Sequence, residues 1–507
     1  MTETAVSPEP SVTTPGIWRF ALIVSLVLTS AAYFPFTLGA QFSGFQVDGA
    51  LYVLMAEYFS PFVPADPLLD YVGQATHLPP LYSLLLGWAG SSGSDLEQVH
   101  LVQTIFLIGG LLTLYLFAAA LAEDRTTALL VLWAFALLPA TVLYSSEIWS
   151  EFLYLMLANG ALCAAARAAT EPRLWWWAAV LAGLATITRG VGILIIAALV
   201  LVVIVRRNRH ALMIGAVAIT PSVIVELLNL GSGAAYLEIY NYYRASGTTG
   251  LIHTVTGNAN LLFAALLSAW EPAPRMAIGI AVIALAPFVL KSWWYRLRTL
   301  QVDACYLLAY VGVLLIWPFP HVIARLVYAG LPLIMIYAVV GVGSVAEHRP
   351  TIDRRLLMRI PAVVLVLLAL TGSGVLAARF STRDLPGVLS AFASSRYWLM
   401  PPESEHALAD LRVKQAMLDT LQSAPAHVPP RECIHSHYPQ SVMLHSRRLS
   451  WPAPDRNHPG KTPCRWHLIL SDARGPAELA ALTPGYAVIH SERVDTGVAG
   501  ILVRYPD

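Results

Sequence analysis

Several charged residues stand where charge is costly, and their types suggest one chemistry. Arg189 interrupts an apolar run at Thr188-Arg189-Gly190, and Arg325 opens another directly after Trp317-Pro318-Phe319-Pro320-His321. A charge inside an apolar, span-length segment is expensive and by default marks a functional site. The guanidinium fork matches phosphate oxygens. Arg244, within Tyr240-Asn241-Tyr242-Tyr243-Arg244, offers a cation and rings that can stack on a sugar or lipid, whereas Arg275 reads as an ordinary interface residue. Among the acids, Asp48 begins the segment Asp48–Tyr58, Glu147 and Glu151 share one polar turn, and Phe152 to Leu157 after Glu151 are all apolar. A carboxylate at a helix start caps free amides and can also accept a proton from a reacting hydroxyl. His77, fixed ahead of Pro79-Pro80, can offer a hydrogen bond or a charge to an anion. The combination suggests a carboxylate base beside a phosphate-binding site; the alternative is that the arginines only pair with these acids. No P-loop, G-x-G-x-x-G, H-E-x-x-H or G-x-S-x-G motif occurs, which leaves no sequence grounds for a nucleotide, a zincin or a serine hydrolase.

Most of the elements that must position these residues lie in a membrane. Of 507 residues, 57% are hydrophobic and 12% charged, about half the charge of a soluble protein. Mean hydropathy is +0.61, and 32 basic residues face 31 acidic ones. These values exclude a disordered chain, a disulfide-rich secreted scaffold and a nucleic-acid binder. About eleven apolar runs are predicted to span. They begin near Ile17, Val99, Thr126, Ser150, Leu174, Gly190, Ala211, Met276, Ala304, Leu326 and Ile360. Two of them, flanking the Thr188-Arg189-Gly190 break, are short enough for a helical hairpin turning at or below the membrane surface. The first run lacks a basic n-region and reads as an uncleaved helix, not a signal peptide.

Lys and Arg concentrate in alternate loops, which puts the amino terminus inside. Residues 39–98, with no Lys or Arg, form a long outer loop, and the tail after Arg379 also lies outside. Asp48–Tyr58 carries apolar residues at helical spacing, as expected for an amphipathic helix lying on the membrane. The predicted fold is an all-α polytopic membrane protein, with amphipathic helices in the first outer loop and a small outer α/β domain. The division is 1–380 for the membrane domain and 381–507 for the tail. In the tail, Glu403–Leu421 is predicted as a helix and short apolar stretches near 432, 466, 486 and 500 as strands. Cys433 and Cys464 suggest a disulfide if the tail faces an oxidising compartment, the alternative being two free thiols.

On these residues the chain resembles the C-type glycosyltransferases, membrane enzymes with polyprenyl-phosphate sugar donors that include the protein O-mannosyltransferases and the lipid A aminoarabinose transferase. The resemblance covers roughly Ile17 to Gly343. It rests on Asp48 followed by Tyr52 and Ala56, on His77 to Tyr82 as the basic-Pro-Pro-Leu-Tyr segment, and on Ser150-Glu151-Phe152-Leu153. Thr188-Arg189-Gly190 and Arg325 followed by Pro332 complete it. The family usually has Lys where His77 and Arg189 stand. The resemblance implies an inverting transfer from a polyprenyl-phosphate sugar to a hydroxyl of a glycan, lipid or protein acceptor, at the outer face of the plasma (inner) membrane. It makes Asp48 the general base, with Glu151 and Glu147 as further acids, and Arg189, Arg325 and His77 the phosphate-binding residues. Tyr52, Tyr82 and Arg244 would contact acceptor or sugar. The resemblance fixes no cofactor, and because some members hold a divalent ion near these acids it leaves a divalent metal ion open. The competing reading, a transporter or flippase of lipid-linked sugars, predicts charges deep in several spans and broken helices in paired halves, and the sequence carries neither.

Overall fold

A computed structural model describes residues 15–37, 47–75, 78–93, 95–228, 234–346, 353–382, 405–452, 464–474, 487–494 and 497–504. His77 lies outside them. Helix α1 (Pro15–Thr37) is followed by three short helices, α2 (Val47–Phe59), α3 (Pro67–Ala75) and α4 (Leu81–Trp88). The bundle continues through α5 (Leu96–Ala122), α6 (Arg125–Ala136), α7 (Pro139–Ser145), α8 (Glu151–Arg167), α9 (Leu174–Thr186), α10 (Ile193–Val205) and α11 (Ala211–Leu227). It closes with α12 (Ala234–Ser268), α13 (Arg275–Arg298), α14 (Val302–Leu315), α15 (Ile323–Gly343) and α16 (Arg354–Thr382).

Among the described residues six helices are long and apolar enough to cross a membrane, and a seventh span forms if α6 and α7, bent by 57°, count as one. Four more apolar helices are shorter. Caps set several boundaries: Asp95 accepts from the Gln98 amide at 3.1 Å, Asp124 from the Thr127 amide at 3.1 Å, and Pro139 opens α7. Contacts at one end of the bundle fix its alternation. There Arg206 donates to the Leu300 carbonyl, Arg296 pairs with Asp303, and Arg359 pairs with Asp124. We call this the basic end.

Against the expected eleven or so spans, the count of six or seven among the described residues is lower, and two helices differ in kind. Residues 249–268 of α12 have the length and hydropathy of a span, but polar Thr, Asn and Gly residues hid them. Asn258 donates to the carbonyls of Leu314 (3.0 Å), Leu315 (3.1 Å) and Trp317 (2.7 Å), where α14 ends, and the Ala269 carbonyl accepts from the Ala140 amide in α7. Both anchor points lie at the bundle end opposite the basic one, so this helix runs across that end. The second difference is α2. Expected to be amphipathic on the membrane, it is buried all round from Ala50 to Glu57, because α3, α4 and the tail enclose it. The close approach of α4 needs glycine at 87, where a Cβ would lie 2.2 Å from the Ala56 carbonyl oxygen.

The tail supplies α17 (Glu405–His427) and α18 (Pro439–Ser446) and a five-stranded sheet. Its strands are β1 (Ile434–Ser436), β2 (Ser450–Pro452), β3 (Trp466–Arg474), β4 (Ala487–Val494) and β5 (Gly497–Arg504), in the order β2-β1-β3-β5-β4. The first two pairings are parallel and the last two antiparallel. Val413, Met417 and Leu421, four residues apart on α17, pack with Ile434, Leu468 and Leu502 of the sheet. Leu143 and Leu376 join the same cluster, which seats the tail over the end of the bundle opposite the basic one. A disulfide joins Cys433 to Cys464, so the two-free-thiol alternative falls away.

Candidate active site

At that end four charged side chains from four separate segments meet. Asp48 stands at the start of α2, Glu151 at the start of α8, and Arg325 in the first turn of α15. Arg189 occupies the break between α9 and α10, where its backbone is extended (φ −148°, ψ 128°) before a 3-10 turn at Gly190–Gly192. That turn folds back on α9 so tightly that a Cβ at Gly192 would lie 2.6 Å from the Ala185 carbonyl carbon. The Leu81 amide donates to the Ile187 carbonyl at 3.0 Å, tying α4 to the same break.

Arg325 is the hub. Its Nη1 donates to Asp48 Oδ2 at 2.5 Å, its Nη2 to Glu151 Oε2 at 3.0 Å, and its Nε to Glu151 Oε1. The guanidinium carbon lies 4.4 Å from the centroid of the Trp149 ring, a stacking that suits arginine in a desolvated place. Arg189 pairs with Glu151 Oε1 as well. Glu151 therefore bridges two cations. The side chains of Glu151, Arg325 and Arg189 are 1%, 11% and 15% exposed, against 35% for Asp48. Glu151 is locked in place, and Asp48 is the acid open to an incoming group.

A polar frame holds the turn before α8. Gln103 receives the Tyr82 hydroxyl (2.8 Å) and the Trp149 amide (3.1 Å) on its side-chain oxygen, and its amide nitrogen donates to the carbonyls of Ser145 and Glu147. Tyr52 and Ser150 hydrogen-bond at 2.8 Å, and the Ser83 hydroxyl donates to the Tyr52 carbonyl. Burial, then the neighbouring Asp48 charge, pushes the Tyr52 phenol up to about 12, so it stays protonated.

The structure brings together Asp48, Glu151, Arg189 and Arg325 of the expected residues. Tyr52 is 3% exposed and Tyr82 fully buried, with their hydroxyls bonded to Ser150 and Gln103, so both brace the site from within. Glu147 sits in the turn with 9% exposure, its carbonyl bonded to Gln103. Arg244 is exposed on α12 and makes no ion pair among the described residues; its neighbour Tyr243 donates to the Ile316 carbonyl. Arg275 pairs with Glu271 at 3.0 Å, the ordinary surface role expected of it. No motif marks Gln103, an amide within an apolar run, or Trp149, an indole between the two acids of the polar turn.

The site also bears on a divalent ion. Among the described residues no three His, Cys, Asp or Glu side chains converge to hold one, and Asp48 and Glu151 already face guanidinium groups. The donor set of these residues does not fit a resident metal.

No family model matches the sequence, and no curated protein does. Solved structures do. The chain superposes on ArnT from Cupriavidus metallidurans bound to undecaprenyl phosphate with a TM-score of 0.53 and 12% identity. It superposes on the apo state of that protein with a TM-score of 0.51 and 13% identity. In both cases the match covers 96% of this chain and 98% of the other. At such low identity the likeness speaks for architecture, and it extends over both the helical bundle and the tail. The chain shares the overall fold of these two solved structures.

Proposed function

We propose that this protein is a glycosyltransferase that moves a sugar from a polyprenyl-phosphate donor to a hydroxyl of an envelope acceptor, at the outer face of the plasma (inner) membrane. The single observation that carries the reading is the Arg325 guanidinium, shared between Asp48 and the buried Glu151 with Arg189 alongside. Two guanidiniums beside one exposed carboxylate supply the two functions that displacement of a phosphate leaving group needs. The solved structure holding undecaprenyl phosphate on the same fold supports the donor class.

In the proposed reaction the acceptor oxygen attacks the anomeric carbon as the bond from that carbon to the phosphate oxygen breaks. The bonding pair leaves on the phosphate, where Arg189 and Arg325 stabilise the growing charge; one such preorganised donor is typically worth about 10²–10³-fold. The acceptor proton passes to Asp48, a general-base contribution of about 10²–10⁴-fold. A phosphate arriving at Arg325 competes with Asp48 for Nη1, so donor binding itself frees the base. Glu151 holds both guanidiniums on one carboxylate oxygen, side by side. An apolar cavity of about 380 Å³ supports the lipid character of the donor. It is lined by Trp270, Ile278, Val282, Leu331, Met335 and Leu365, and reaches α15 within two turns of Arg325.

The test is transfer of radiolabelled sugar from polyprenyl phosphate to an extracted envelope acceptor by purified protein. Asp48→Asn should lose transfer while retaining donor binding. Transfer at the wild-type rate would remove Asp48 as the base, and no transfer by the wild type from any polyprenyl-phosphate sugar would remove the reading.

A further inference from the structure

The helix that carries Asp48 is gripped at its other end by the tail. Glu57, nine residues on along α2, is 1% exposed, and its carboxylate receives both terminal nitrogens of Arg447, with Nη2 to Oε1 at 2.6 Å and Nη1 to Oε2. Oε1 also accepts the Gly93 amide at 2.7 Å. Arg447 caps α18 in the left-handed region (φ 53°), a conformation that costs a non-glycine residue roughly 1 kcal/mol or more. Leu444, one turn earlier on α18, presses on Gly93 so closely that a Cβ there would lie 2.6 Å from its methyl carbon. Met443 and Leu444 belong to the apolar core of the bundle, not to that of the sheet.

We infer that Glu57 and Arg447 are positioning residues through which the tail sets the placement of Asp48 against Arg325. This rests on the glycosyltransferase reading for its consequence, although the contact itself does not. The only helical element between Glu57 and Asp48 is α2, a rigid rod of about 1.5 Å per residue, and Asp48 is the least buried member of the charged site. A carboxylate without its fork partner at one end lets that rod shift, and misplacement by about 1 Å can cost on the order of 10²-fold in rate. Arg325 and Arg189, held by Glu151 on other helices, keep their places. The step affected is proton removal, and donor binding is spared.

The experiment uses the full-length protein in detergent or nanodiscs, with Arg447→Ala, Arg447→Lys and Glu57→Gln. For Arg447→Ala, kcat per folded molecule should fall at least tenfold with donor KM within about twofold of wild type, and Arg447→Lys should recover a substantial part of the loss. Hydrogen exchange is the readout independent of activity. Amides of residues 50–56 should exchange faster in Arg447→Ala, while those of α8 and α15 near Glu151 and Arg325 stay as in wild type. Unchanged exchange in α2 together with unchanged kcat, in a wild type that transfers sugar, overturns the coupling alone. So does a rise in donor KM with kcat intact. A wild type that transfers nothing, but whose α2 loosens selectively in Arg447→Ala, overturns the glycosyltransferase reading and leaves the coupling standing.

Discussion

Glu151→Gln separates the holding role from the reacting role in the charged site. The substitution keeps the shape and removes the charge that two guanidiniums share. Glu151 is 1% exposed, with partners at 11% and 15%, so water cannot replace it. Removing one member of a buried ion pair costs about 3–5 kcal/mol, and about 1.4 kcal/mol corresponds to tenfold in an equilibrium. The folded-to-unfolded ratio should therefore drop by roughly 10²–10³-fold or more. Asp48→Asn removes the other carboxylate of the site from a position that is 35% exposed. Arg325 keeps Glu151 as a partner there and water can reach the position, so the loss should be clearly smaller than for Glu151→Gln. Thermal or denaturant unfolding in detergent, followed by size-exclusion of the folded fraction, measures both variants side by side. The expected order is wild type close to Asp48→Asn, with Glu151→Gln far below. If Glu151→Gln melts with the wild type, or Asp48→Asn is destabilised as severely, Glu151 is not the structural bridge and the assignment of roles is wrong.

Asp48→Asn should lower transfer by about 10²–10⁴-fold with donor affinity within a few-fold, measured by lipid-binding titration beside single-turnover transfer. Arg189→Ala should weaken binding of polyprenyl phosphate by at least tenfold, and unchanged affinity would remove it from the phosphate site. Reducing Cys433–Cys464, which closes a loop over a sequence separation of 31, should destabilise the tail by about 3–4 kcal/mol, seen as a lower unfolding midpoint with dithiothreitol. Burial, then the Arg447 charge, takes His445 from 6.5 down to about 4, and burial, then His435 and His437, lowers His467 to about 4. The unfolded chain then binds more protons between those values, so stability from these groups is present above about pH 6.5 and lost as pH falls towards 4. His467→Gln should flatten that part of the pH–melting curve, and an unchanged slope would show that His467 does not contribute.

The charged residues were legible because charge is rare in this chain, and each one interrupting an apolar run carries its own signal. Asp48, Glu151, Arg189 and Arg325 could be picked out in that way, as could the break at 188–190. Pairing of the arginines with these acids was the open alternative and the structure shows such pairs, but which acid each takes was not legible, since Arg325 meets Asp48 across 277 positions. Tyr52 and Tyr82 matched motif positions, yet their environment turned them into braces, which the sequence does not record. Helix α2 was legible as a helix but not as a buried one, because α3 and α4 fold back over it and α18, some 390 residues away, completes the cover. Residues 249–268 were missed because Thr, Asn and Gly diluted the apolar signal that tertiary contacts with α14 and α7 complete. In the tail, β2 is three residues long, too short for any alternation to register.

The charged quartet at the bundle end sums to no formal charge, two guanidiniums against two carboxylates. Such a site projects little field into the surrounding water, so it does not gather free inorganic phosphate or nucleotides from a distance. On the proposed function, selection for a lipid-anchored donor then comes from confinement to two dimensions, because a molecule already held in the bilayer arrives by lateral diffusion while soluble anions feel no pull. Turnover on such a donor should accordingly vary little between low and moderate ionic strength.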